Sequence, residues 1–166
     1  VERGGVGARE RAPLQRRHAL PEVLRVGEGG ARVAQLSQSR ERGRAEDEIR
    51  RTLAFLDSLK AEYALFHCVS TYPAAPEEIN LRFMQTLREW SGRPVGYSGH
   101  DTGTAISLAA VAMGARLIER HLTLDRAMRG PDHKASLEPA QFAEQVRAVR
   151  EVELSLGVPH RWITRG

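Results

Sequence analysis

The sequence predicts an α/β domain assembled from strand–helix units around a parallel sheet. Two observations carry this. Three short apolar runs, at residues 63–69, 95–98 and 116–121, each lead through a loop into a helical pattern. The stretch between the second and third runs, residues 104–113, is a helix of small residues, so those two strands are joined by a right-sized crossover and run parallel. The unit repeats every 25–45 residues or so, as in a TIM barrel or a doubly wound sheet.

Each element has its own reason. Residues 45–61 place Ile49, Leu53, Leu56 and Leu59 on one helical face. Residues 63–69 (YALFHCV) are an apolar run suited to a strand buried on both faces. Residues 70–76 form a loop with two prolines, and Pro76-Glu77-Glu78 opens a helix whose apolar face carries Leu81, Met84 and Leu87. Ser91-Gly92-Arg93 turns the chain into the strand at 95–98. The helix at 105–113 stops at Gly114, the strand at 116–121 follows, and a long loop covers 123–137. Glu138-Pro139 starts a last helix at 140–156, ended by Gly157.

Residues 1–43 differ in character. They contain 9 Arg and 5 Glu but no Ile, Phe, Tyr, Trp, Lys or Asp, and they hold the entire net charge of +4. Neither period persists there beyond a few residues, apart from a short helical turn expected at 20–26, so an irregular basic extension is predicted. No aromatic residue is available in it for base stacking, and the rest of the chain is electrically balanced, which argues against nucleic acid as a partner. No run approaches the roughly 20 apolar residues of a membrane span, and no secretion signal is evident. Cys68 is the single cysteine, which excludes an internal disulfide and zinc-finger spacing. A soluble cytoplasmic protein is expected.

His100 and His121 end two parallel strands about 5 Å apart, so both imidazoles emerge at the carboxyl edge of the sheet, where α/β proteins place their chemistry. Two converging imidazoles suit a divalent metal with positions left for water or a substrate oxygen, and such a site polarises a carbonyl. Manganese, magnesium, zinc and cobalt are equally allowed by this reasoning. The structural alternative is that each histidine satisfies a backbone group near a strand end. Ser98 shares the face of His100, and Glu119 that of His121, because a separation of two keeps side chains on one side of a strand. Ser70, Thr71 and Tyr72 cluster past the first strand and can hold phosphate or carboxylate oxygens. Asp132 can accept from sugar hydroxyls, although an Asp in a Gly-Pro turn is common. Asp125 is also frequently structural, and Cys68 reads as a small buried residue. No Gly-x-Gly-x-x-Gly or Gly-x-Ser-x-Gly elbow is present, which leaves dinucleotide binding and serine hydrolysis unsupported.

The motifs FHCVSTYP (66–73), PEEINL (76–81), GYSGH (96–100), IERHLTLD (118–125) and ASLEP (135–139) resemble the sialic acid synthase family, in the family's order and spacing over residues 45–157. Gly99-His100 is similar to the branch of animal N-acylneuraminate-9-phosphate synthases, where many bacterial members have Asp at the glycine. The resemblance implies a partial TIM barrel of about three C-terminal βα units in residues 44–160, preceded by the irregular Arg/Gly-rich segment 1–43 and followed by a tail at 161–166. It implies condensation of phosphoenolpyruvate with N-acetylmannosamine or its 6-phosphate, giving N-acetylneuraminate or its 9-phosphate and phosphate. His100 and His121 would bind the metal, usually manganese, with magnesium or cobalt as alternatives. Ser98 and Ser70 would contact phosphoenolpyruvate, with Ser70 replacing an amide of some members, and Tyr72 and Asp132 would face the sugar as catalytic candidates. The family's phosphate-binding lysines, its water-placing acid and its C-terminal antifreeze-like domain find no counterpart, so an incomplete enzyme is expected, with a non-catalytic barrel-fragment binding or assembly protein as the alternative. A three-strand sheet with open edges predicts a homo-oligomer.

Overall fold

The computed structural model describes residues 24–26, 32–37 and 42–160, with side chains from residue 46 onward. The elements, in order, are β1 (Leu24–Val26), β2 (Arg32–Ser37), α1 (Arg42–Ser58), β3 (Tyr63–Cys68), α2 (Pro76–Ile79), α3 (Phe83–Ser91), β4 (Val95–Gly99), α4 (Ala105–Ala112), β5 (Ile118–Arg120), a 3₁₀ turn (His133–Ala135) and α5 (Pro139–Leu156). They form one five-stranded sheet in sequential order. β2 through β5 are parallel, and β1 pairs antiparallel with β2.

Two strands therefore lie inside the segment expected to be irregular, and the helical turn expected at 20–26 is replaced over its last three residues by β1. The sheet has five strands rather than three. The physical reason is non-local: Arg32–Ser37 pairs along all six residues of β3, which satisfies backbone donors that no local periodicity announces. The rest of residues 1–41 and the tail at 161–166 lie outside the described residues.

The alternation along the parallel strands sorts side chains onto two faces. Tyr63, Leu65, Val95 and Tyr97 face the helices and join Ile49, Leu53 and Leu56 of α1 and Met84 and Leu87 of α3 in one buried core. The single helix expected from Pro76 onward is broken in two. Asn80 closes α2 in the left-handed conformation (φ 47°), and α3 restarts at Phe83. The break lets Ile79 point its carbonyl at His67 Nε2, 2.7 Å away. Gly92 (φ 63°) caps α3, its N–H reaching the Arg88 carbonyl at 2.8 Å. Glu138 and Gln141 form a reciprocal capping box at the start of α5, with Pro139 in the first turn. Among the described residues no helix is long and apolar enough to cross a membrane.

Candidate functional site

The opposite face of the sheet carries Phe66, Cys68, Gly96 and Ser98, followed by His100 just beyond the last residue of β4. In the ladder Ser98 lies opposite Glu119, and Gly99 opposite Arg120. His100 and His121 follow the last rung, one on each strand. Their rings stand edge to face with centroids 5.0 Å apart. The strand–helix–strand reading of these two residues is thus met by the geometry.

His100 is almost fully buried, at 2% exposure. Its Nδ1 lies 2.7 Å from the Val69 carbonyl and 3.6 Å from Cys68 Sγ. A carbonyl only accepts, so Nδ1 carries the proton and Nε2 keeps its lone pair. The Tyr72 hydroxyl lies 3.1 Å from that nitrogen and donates to it, and the two rings are 4.1 Å apart. Burial lowers the pKa of His100, and proximity to His121 lowers it further, against the opposing effect of the Val69 carbonyl. The neutral imidazole required of a metal ligand is therefore the favoured form. Tyr72 also lies 5.7 Å from the His121 ring, so three rings converge at this edge.

Ser98 donates to Glu119 Oε1 at 2.9 Å, so both residues face the histidines' side of the sheet as their spacing predicts. Cys68 is fully buried, as expected, and Asp125 is structural, accepting from the Ala127 N–H at 2.7 Å. Ser70 is exposed in the loop after β3. Asp132 is exposed at the head of the 3₁₀ turn, where its backbone carbonyl accepts from Ser136 Oγ at 2.7 Å. The structure thus brings together His100, His121 and Tyr72, and places Ser98 two residues before His100 on the same face, while Ser70 and Asp132 lie exposed in their loops.

Two residues that sequence reasoning missed sit directly behind the histidines. Asp101 and Arg120 form a buried ion pair, Nη1 to Oδ1 at 2.7 Å, and Tyr97 donates its hydroxyl to the same oxygen at 2.7 Å. Arg120 also donates to the Asp101 carbonyl and, at 3.4 Å, to that of Ala135. Only the residues' adjacency to His100 and His121 could have signalled them.

His100 offers a fixed Nε2 lone pair beside a second imidazole. Among the described residues no group of three or more His, Cys, Asp or Glu side chains forms a cage. The donor set therefore fits an open two-histidine site completed by water or substrate oxygens, not a closed structural one.

A parallel α/β sheet with its polar cluster at the carboxyl edge defines the general class, an α/β protein with a sheet-edge site. The chain belongs to the NeuB family, whose profile matches residues 43–161. It is 46% identical over 114 residues to the N-acetylneuraminate-9-phosphate synthase of Homo sapiens, covering 68% of this chain and 32% of that protein. It is 50% identical over 93 residues to the N,N'-diacetyllegionaminic acid synthase of Campylobacter jejuni, covering 56% of this chain and 28% of that protein. Among solved structures, the sialic acid synthetase of Leptospira borgpetersenii, in complex with citrate, superposes with a TM-score of 0.69 at 34% identity, over 80% of this chain and 46% of that one. The chain thus spans about a third of the length of the curated relatives it matches. Its homologues are sialic acid and legionaminic acid synthases.

Proposed function

We propose that the chain carries the metal and sugar side of a phosphoenolpyruvate-dependent sialic acid synthase, acting as a cytoplasmic homo-oligomer. The reaction joins the methylene carbon of phosphoenolpyruvate to the aldehyde carbon of N-acetylmannosamine or its 6-phosphate. Water then adds at the resulting cationic carbon, and phosphate leaves with cleavage of its C–O bond. The observation that carries the reading is the edge-to-face His100–His121 pair, with the His100 tautomer set by the Val69 carbonyl. His100 Nε2 and His121 would hold a divalent cation, manganese first and magnesium or cobalt as alternatives. Such a cation supplies Lewis-acid polarisation of the aldehyde oxygen.

The chain's own residues do the rest. Burial keeps His100 neutral, and the Val69 carbonyl orients its ring and fixes its tautomer. Tyr72 would exchange its bond to His100 for one to the sugar, and Asp132 would accept from sugar hydroxyls. Ser98, tethered to Glu119, would turn its hydroxyl to an oxygen of phosphoenolpyruvate, and Ser70 would add a second donor.

The test is manganese binding together with phosphate release from phosphoenolpyruvate and N-acetylmannosamine. Expected is metal binding that disappears in His100→Ala and His121→Ala; because the chain spans about a third of its relatives and reads as an incomplete enzyme, any release it gives should need both substrates and both histidines. Manganese bound equally by both variants would overturn the metal assignment. Absence of both metal binding and release, with either the sugar or its 6-phosphate, would favour a non-catalytic binding or assembly role.

A further inference from the structure

We propose that Asp101 and Arg120 are positioning residues whose buried ion pair, laid across Gly99, fixes the spacing of His100 and His121. The inference rests on the reading of those histidines as one site. The β4–β5 ladder ends at the rung Gly99↔Arg120, so neither histidine has a cross-strand backbone partner in it. Beyond that rung the pair supplies a diagonal tie. Asp101 follows His100, Arg120 precedes His121, and the two meet on the helix-covered face at 2.7 Å. Arg120 reaches Asp101 twice, through the carboxylate and through the backbone carbonyl, so it fixes the path of the main chain leaving His100. On the other face Ser98 and Glu119 tie the strands one step earlier. The two histidines are therefore bracketed by cross-strand bonds on both faces of the sheet.

Gly99 shows that the path is specific. A Cβ built there would lie 2.5 Å from Arg120 Nη1 and 2.9 Å from both Asp101 Oδ1 and Tyr97 Cε1. The guanidinium and its partners occupy the space that any side chain at 99 would take. Gly99 has no positive φ to require glycine, so the close approach of Arg120 is the reason a glycine suits this position.

The experiment compares the wild-type chain with Gly99→Ala and with the double variant Asp101→Asn/Arg120→Met, which leaves no buried charge. Three quantities are read: the nuclear Overhauser effect between the His100 and His121 rings, cobalt(II) affinity from its absorption spectrum, and the cooperativity of melting. Expected are a ring–ring effect in the wild type, its loss in both variants with a cooperative melt retained, and cobalt binding weaker by about tenfold, as for loss of an outer-shell support. Arg120→Lys, which keeps one bond to Asp101, should restore part of both signals. An unchanged ring–ring effect, with cobalt affinity within twofold of wild type, would overturn the proposal. So would loss of the cooperative melt in both variants, which would make the pair a purely structural element. A wild type that binds no cobalt defeats the metal reading alone, because the ring–ring effect still decides the positioning role.

Discussion

Replacing Arg120 with Met isolates the cost of stranding a buried charge. The Asp101 and Arg120 side chains are 2% and 0% exposed, so neither falls back on solvent when its partner is removed. In Arg120→Met, Oδ1 of Asp101 keeps only the Tyr97 hydroxyl, and Oδ2 has no partner among the described residues. Breaking a buried pair from one side costs about 3–5 kcal/mol. With a urea m-value of about 2 kcal/mol/M, the unfolding midpoint should fall by about 1.5–2.5 M. The double variant Asp101→Asn/Arg120→Met keeps an acceptor for Tyr97 and removes both charges. It loses Arg120's bonds to the carbonyls of Asp101 and Ala135, worth about 1 kcal/mol each, and regains packing along the Met side chain. It should therefore be more stable than Arg120→Met by 1–3 kcal/mol or so, which a double-mutant cycle in urea reads directly. A loss below about 1 kcal/mol in Arg120→Met, or a double variant as unstable as the two singles summed, would refute the reasoning that Asp101 is charged and sealed.

Two further outcomes are expected. His67 is fully buried, with Nε2 donating to the Ile79 carbonyl and Nδ1 unpartnered among the described residues, and burial lowers its pKa. The unfolded chain then takes up this proton more readily, so the stability is present above pH 6.5, the ordinary value, and is lost as pH falls toward the folded value. The slope is at most about 1.4 kcal/mol per pH unit for this group, and urea titrations from pH 7 to 5 should be shallower by that contribution in His67→Gln. In Tyr72→Phe, His100 Nε2 loses its hydrogen-bonded competitor. Manganese affinity measured by calorimetry should rise about two- to tenfold, matching a net bond of 0.5–1.5 kcal/mol or so, and weaker binding would show that the hydroxyl assists the metal instead.

What the sequence revealed depended on how local the cause was. β3, β4 and the small-residue α4 follow from apolar runs and their spacing, and α5 from Pro139 and the 3.6 period. His100 and His121 could be placed together because one crossover sets two parallel strands side by side. β1 and β2 were hidden because Arg32–Ser37 owes its strand to the edge of β3, thirty residues on. The helix break at Asn80 was hidden inside a continuous apolar face, since Leu81, Met84 and Leu87 keep helical spacing across it. Asp101 and Arg120 lie 19 positions apart, and only the register of β4 against β5 makes them partners. Tyr72 was chosen for its loop, but its bond to His100 Nε2 depends on how that loop folds back.

The loop after β3 is anchored at both ends to one residue. The Val69 carbonyl accepts from the ring of His100, and the Ala74 N–H donates to the His100 carbonyl at 2.9 Å. Between the anchors lie only Ser70, Thr71, Tyr72 and Pro73. This makes the segment an exchangeable cassette for protein engineering: its four residues can be randomised to change what the sheet edge binds while the two anchoring bonds hold the histidine still. Deleting a residue instead would pull one anchor loose, so libraries of fixed length should yield folded proteins where libraries of varied length do not.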